Sequence, residues 1–113
     1  GTVENYQQAL MLQPDNALAL NNLAYTYMER QVNLVEAVRM AERAVDLERR
    51  ATYLDTLGFG YYLLGQYDQA KAILEEALSM SDELDPQNLA ELELHLEMVY
   101  HALEKAGESS LDE

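Results

Sequence analysis

Apolar positions recur along this chain with the period of a helix. Between Ala51 and Ser81, Leu54, Leu57, Gly58 and Tyr61 stand at i, i+3, i+4 and i+7, which is one face of a 3.6-residue turn. Tyr67, Ala70, Leu74 and Ala77 form a second such face. Gly65 lies between the two runs, where the chain must reverse and glycine reaches positive φ without strain. Gly58, Ala70 and Ala77 are small, so the pattern predicts two helices in close approach. The same pattern stands 34 residues earlier, in Leu20, Leu23, Ala24 and Tyr27. Ala37, Ala41 and Ala44 answer Ala70, Leu74 and Ala77, with one residue slipped into the turn. Tyr6, Ala9 and Pro14 read as the second half of a further unit.

The periodicity predicts helices over residues 2–12, 16–30, 34–48, 52–64, 67–81 and 87–106. Asp15 or Asn16 is the expected N-cap of the second. Asn33 with Glu36 resembles a capping box before the third. Asp85 followed by Pro86 suits the start of the last helix, and Gly107 its end. After Ser81 the register shifts: the next matching tyrosine, Tyr100, comes 39 residues after Tyr61 rather than 34. The extra length calls for a longer loop or a longer preceding helix. In that register Leu96 and Tyr100 fit the inner face, while Glu97 falls where the earlier helices have Ala24 and Gly58. A carboxylate in a tight helix crossing is costly, so the last helix reads as a cap on the stack or the seat of a looser partner.

The set Leu54, Leu57, Gly58, Tyr61, Gly65, Tyr67, Ala70, Leu74 and Ala77 resembles the tetratricopeptide repeat, a helix–turn–helix unit of about 34 residues. The resemblance covers roughly residues 2–107. It implies an all-α fold, a right-handed superhelical α-solenoid of antiparallel helix pairs with about six helices. Residues 2–14 would be the second helix of a truncated repeat, 17–50 and 51–84 two repeats, and 85–107 a long helix acting as partial repeat or cap. The polar residues 108–113 read as a disordered tail. A chain entering in mid-repeat at Gly1 reads as a fragment of a longer protein. Its first helix would lack a partner, so self-association, end to end or by helix exchange, is expected.

Net charge of −14 over 113 residues argues against nucleic acid and anionic membranes, both of which need a Lys/Arg surface. No run of about 18 apolar residues and no basic-then-apolar leader appears, so a cytoplasmic setting is expected. With no cysteine, disulfides and thiol chemistry are out. No catalytic constellation, metal site or cofactor motif stands out. His95 and His101 are six residues apart, on different sides of a helix. Gly58-Phe59-Gly60 lies within a helix, unlike a nucleotide loop. The interleaved charges Glu36, Arg39, Glu42, Arg43 and Asp46 read as a solvated face.

Within the resemblance, the first helix of each pair lines the inside of the superhelix, where partners bind as peptides or helices. That row gives Asn21, Asn22, Tyr25 and Met28, then Asp55, Phe59 and Tyr62, then His95 and Met98 as candidate partner-binding residues. Leu18, Glu29, Thr52, Thr56, Leu63, Glu91, Leu94 and His101 share the row. Tyr25, Phe59 and Tyr62 are rigid anchors of the kind that dominate interfaces, and Met28 and Met98 adapt to irregular surfaces. The bland alternative is that these side chains pack on one another. The row holds no Lys or Arg, so it cannot clamp a terminal carboxylate as some members of this family do. The expected partner is a protein or peptide, apolar with neutral or basic flanks, and the expected role is non-catalytic protein–protein interaction. The alternatives are a self-assembling scaffold, or the regulatory arm of an enzyme whose catalytic domain lies elsewhere.

Overall fold

The computed structural model describes residues 1–111. Six α-helices follow one another: α1 (Thr2–Leu12), α2 (Ala17–Arg30), α3 (Leu34–Leu47), α4 (Ala51–Leu63), α5 (Tyr67–Ser79) and α6 (Pro86–Leu111). A short 3-10 turn at Ser81–Glu83 precedes α6. There is no strand among the described residues. The helices pack as hairpins, α2 on α3 and α4 on α5, with α1 against α2 and α6 against α5. Alternate helices also meet side by side, α2 on α4 and α4 on α6, so the described residues form an all-α solenoid 52 × 31 × 23 Å in extent. No described helix is long and apolar enough to cross a membrane.

Two glycines set how closely α4 seats. A Cβ on Gly58 would stand 2.4 Å from Leu74 Cδ2 and 2.5 Å from Leu74 Cγ, across the α4–α5 hairpin. One on Gly60 would stand 2.6 Å from Met28 Cε and 2.8 Å from Val38 Cγ2, facing the preceding hairpin. Leu74, Ala70 and Ala77 are fully buried against α4, as the repeat pattern predicts. The close role of Gly60 is a finding of the structure.

The turns use local chemistry that the sequence half reveals. Gly65 sits at φ 78°; its N–H donates to the Tyr62 carbonyl, and the Gln66 N–H to that of Tyr61, a Schellman closure. The same closure ends α2, where Gln31 adopts φ 54° and the Gln31 and Val32 N–H groups donate to Met28 and Tyr27. Asn16 caps α2, its Oδ1 accepting from the Ala19 N–H at 3.0 Å, and Asp85 Oδ1 accepts from Asn88 N–H at 2.8 Å. The capping box expected at Asn33 does not form. Asn33 takes a left-handed conformation at φ 50° and its side chain makes no cap bond, because a side-chain cap needs an extended backbone at that position. Arg49, where a loop proline is usual, forks onto Glu76 of α5, its Nε and Nη2 donating at 2.5 and 2.6 Å.

α6 departs from expectation in two ways. Its buried row is Leu92, His95, Leu96 and Val99, not Leu96 with Tyr100. Tyr100 is 40 % exposed and donates to Glu75 at 2.8 Å. The 39-residue step explains this. It pairs Leu92, His95, Leu96 and Val99 with Tyr53, Thr56, Leu57 and Gly60 of α4, the latter end of which meets the preceding hairpin. It pairs Glu93, Glu97 and Tyr100 with Leu54, Gly58 and Tyr61, and Gly58 is the point where α4 receives Leu74 of α5. Among the described residues no helix covers that side of α6, and Glu97 is exposed. Second, α6 runs through Gly107 to Leu111. Gly107 is not in the positive-φ region, and an isolated glycine costs a helix only about 1 kcal/mol when no turn sequence follows it. The expected disordered tail therefore begins as helix over 108–111; residues 112–113 lie outside the described residues.

Gly58→Ala should destabilise the chain by about 1–3 kcal/mol, as overpacking does in a core, even though alanine otherwise favours a helix. Gly60→Ala should cost less, because the Met28 terminus it meets is flexible. Urea unfolding followed by far-UV circular dichroism checks the order of the two.

Candidate partner-binding groove

Side chains from α2, α4 and α6 converge on the face these three helices share. The ring of Tyr25 on α2 lies 6.3 Å from that of Phe59 on α4, tilted by 48°. Phe59 in turn stacks on His95 of α6, with centroids 4.4 Å apart and planes within 14°. His95 Nδ1 stands 2.7 Å from Asp55 Oδ1, one turn before Phe59. A carboxylate oxygen accepts, so Nδ1 carries the hydrogen and the tautomer is fixed. Both side chains are nearly buried. The pair thus ties α6 to α4 across 40 residues of sequence, and losing either partner would strand the other in a dry site.

Beside this ladder lies a cavity of about 300 Å³, lined chiefly by Asn21, Tyr25, Thr52, Asp55, Thr56 and Glu91. Its polar groups are only partly satisfied. The Tyr25 hydroxyl reaches Glu91 Oε1 at a long 3.5 Å, and Asn21 Nδ2 donates to Asn22 Oδ1 at 3.5 Å. Asn21 is 9 % exposed, and its Oδ1 is buried with no hydrogen-bond partner. The electrostatics are negative. Burial first, then the charges of Glu91, Glu29 and Asp55 and the hydrogen bond to Glu91, push the Tyr25 phenol up to about 12.

The nine candidate residues divide. Asn21, Asn22, Tyr25, Asp55, Phe59 and His95 come together around the ladder and its cavity. Met28 does not join them. It is 1 % exposed and packs toward Gly60, so the Met28 expectation is corrected: it is core, drawn in because Gly60 leaves a space its thioether fills. Tyr62 and Met98 face a separate hollow of about 410 Å³ with Tyr67, His101 and Lys105. There Tyr62 leans on Tyr67 at 5.7 Å rather than on Phe59. Tyr53, Leu84 and Asn88 line the cavity but escape the row. Asn88 stands three residues before Glu91, one turn away on the same helix, which is the signal that marks it. Among the described residues no cluster of three or more His, Cys, Asp or Glu is placed to hold a metal.

Tyr61 shares the chemistry of Tyr25: burial first, then its hydrogen bond to Glu42, push its phenol up to about 12. Folding favours the protonated phenol in both, so their contribution is whole below the ordinary value of 10.0 and is lost as pH rises toward about 12. The urea midpoint should fall over that window, and the double variant Tyr25→Phe/Tyr61→Phe should fall less; circular dichroism at stepped pH checks it.

Comparison with known families agrees with the geometry. A family model described as TPR repeat matches residues 2–31, which span α1, its turn and α2. Another, described as Tetratricopeptide repeat, matches residues 50–84, which span α4, the Gly65 turn and α5. No curated protein matches the chain. Repeats of this kind generally serve as protein–protein interaction modules. With helices at the predicted period, glycine and alanine at their crossings, and matches that fall on the adjacent pairs α1–α2 and α4–α5, the chain belongs to the tetratricopeptide-repeat family.

Proposed function

We propose that this chain is a non-catalytic interaction module that receives a peptide or helix of a partner protein in the groove shared by α2, α4 and α6. The observation that carries this reading is the Tyr25–Phe59–His95 ladder with a partly unsatisfied polar cavity at its side. An apolar partner side chain would lie along the half-buried rings, and polar backbone groups would meet Asn22, Thr52 and Thr56. Tyr62 and Met98 would extend the contact toward the C-terminal end of α6. The acids at the groove select a partner with neutral or basic flanks.

A self-assembling role is the second reading, and α1 favours it. That helix buries no residue fully, and Met11 and Leu12 are 83 % and 79 % exposed. An apolar end of this kind invites a second copy, against the repulsion of two acidic chains. Light scattering across a concentration series should show association that Met11→Gln/Leu12→Gln weakens; a strict monomer at high concentration removes this reading.

The groove is tested with peptides selected from a displayed random library. Phe59→Ala should weaken the selected peptides by about 1–3 kcal/mol, the scale of an interface anchor, in isothermal titration with the helical spectrum intact. Peptides indifferent to Phe59 would remove the groove as the binding face.

A further inference from the structure

Resting on the groove reading, we propose that the cavity between α2, α4 and α6 is a specific pocket for an arginine side chain of the partner. The lining is rich in acceptors. Asn21 offers a buried carbonyl oxygen without a partner, Glu91 is held only by a 3.5 Å contact to Tyr25, and Asp55 gives one oxygen to His95. None of the lining side chains is a Lys or Arg. A guanidinium carries five N–H donors in a planar fork and no acceptor, so it complements this set without leaving a group of its own unmet. The Asn21 carbonyl is closed to solvent in the free chain on a side chain that lines the cavity, so pairing with a guanidinium would require the carboxamide to turn about χ2.

The aromatic wall narrows the choice between the two basic side chains. Tyr25 borders the cavity, and a flat, weakly hydrated guanidinium stacks on such a ring better than a compact ammonium. Burial first, and then the neighbouring acids Glu91, Glu29 and Asp55, raise the Tyr25 phenol, and those acids would also face a bound cation. Arg50, two residues before the lining residue Thr52, stands 5.8 Å from the centroid of the Tyr53 ring and is engaged by Glu48 at 2.8 Å; it does not line the cavity. The volume of about 300 Å³ leaves room for a side chain and not for a folded ligand.

The probe is N-acetyl-arginine methylamide, titrated into the labelled chain and followed by amide NMR, with the lysine and norleucine counterparts as controls. Saturable shifts should centre on Asn21, Thr56 and Asn88. The lysine compound should bind at least about threefold more weakly, as expected where a planar fork is read, and the norleucine compound should give no localised shifts. Glu91→Gln should weaken the arginine probe roughly fivefold by removing one of the facing charges, with the unfolding curve as the control for fold. Arginine binding no tighter than lysine or norleucine, shifts spread over the acidic surface, or indifference to Glu91→Gln would each overturn the pocket. The groove reading is judged separately: library peptides that need Phe59 yet tolerate arginine-to-norleucine replacement would sink the pocket and keep the groove.

Discussion

The depth at which α4 is seated governs this structure. Gly58 lets Leu74 press onto the α4 backbone from one side, and Gly60 lets Met28 and Val38 do so from another. An ordinary side chain at either point would push a neighbouring helix outward, since interiors at crystal-like density have no slack to absorb it. The result is a helix covered by α3, α5, α2 and α6, with little freedom to rotate. That rigidity fixes where Asp55 and Phe59 emerge. They leave α4 on the side between α2 and α6, and they meet Tyr25 and His95 there. The groove is thus a by-product of core packing on the opposite sides of the same helix.

The arrival of α6 completes it. The 3-10 turn at Ser81–Glu83 lengthens the connection, and Glu83 Oε1 accepts the first N–H of α4, that of Ala51, at 3.0 Å. The loop is therefore bonded to the start of the helix it must cross. α6 then docks with an apolar row on the α4–α5 hairpin and carboxylates at the positions where α4 receives its own partner. A helix built this way disfavours close stacking of a further hairpin on that side, because Glu93 and Glu97 would have to lose their water to accept an alanine-rich neighbour. Its other contribution, His95, faces back to the groove.

The solenoid was legible in the sequence because its determinants are local. A repeat of small and apolar positions at helical spacing needs no long-range information to read. Gln31 and Asn33 were not legible as left-handed residues, since neither is glycine and the tight α2–α3 turn between them forces the conformation. Met28 was misplaced for a related reason: its row is right, but a space opened by Gly60 on another helix decides whether a flexible side chain turns inward. In the groove, Tyr25, Phe59, Asp55 and His95 were each named from their row. Their pairing was not, because the Asp55–His95 bond depends on the 39-residue step that sets the rotation of α6, and a one-residue error in that step turns a helix by about 100°. The end of α6 was misjudged because Gly107 alone is a weak stop without a turn residue behind it.

The negative character of the groove follows from the same packing. Asp55 is buried at the α4–α6 contact, and burial of a carboxylate is costly without partners. His95 supplies a hydrogen bond to one oxygen and covers the pair with its stack on Phe59. That arrangement makes the acid tolerable, and Asp55 stays among the charges beside the Tyr25 phenol, which burial first and then Glu91, Glu29 and Asp55 push up to about 12. Removing Asp55 would ease the electrostatics at the expense of the tie between helices. The chain keeps the tie, and with it an acidic cavity whose orphan carbonyl at Asn21 has no donor from the protein itself. On the reading proposed above, a structural bond and a binding preference would come from one carboxylate, and a partner entering the cavity would bear directly on the contact that holds α6 in place.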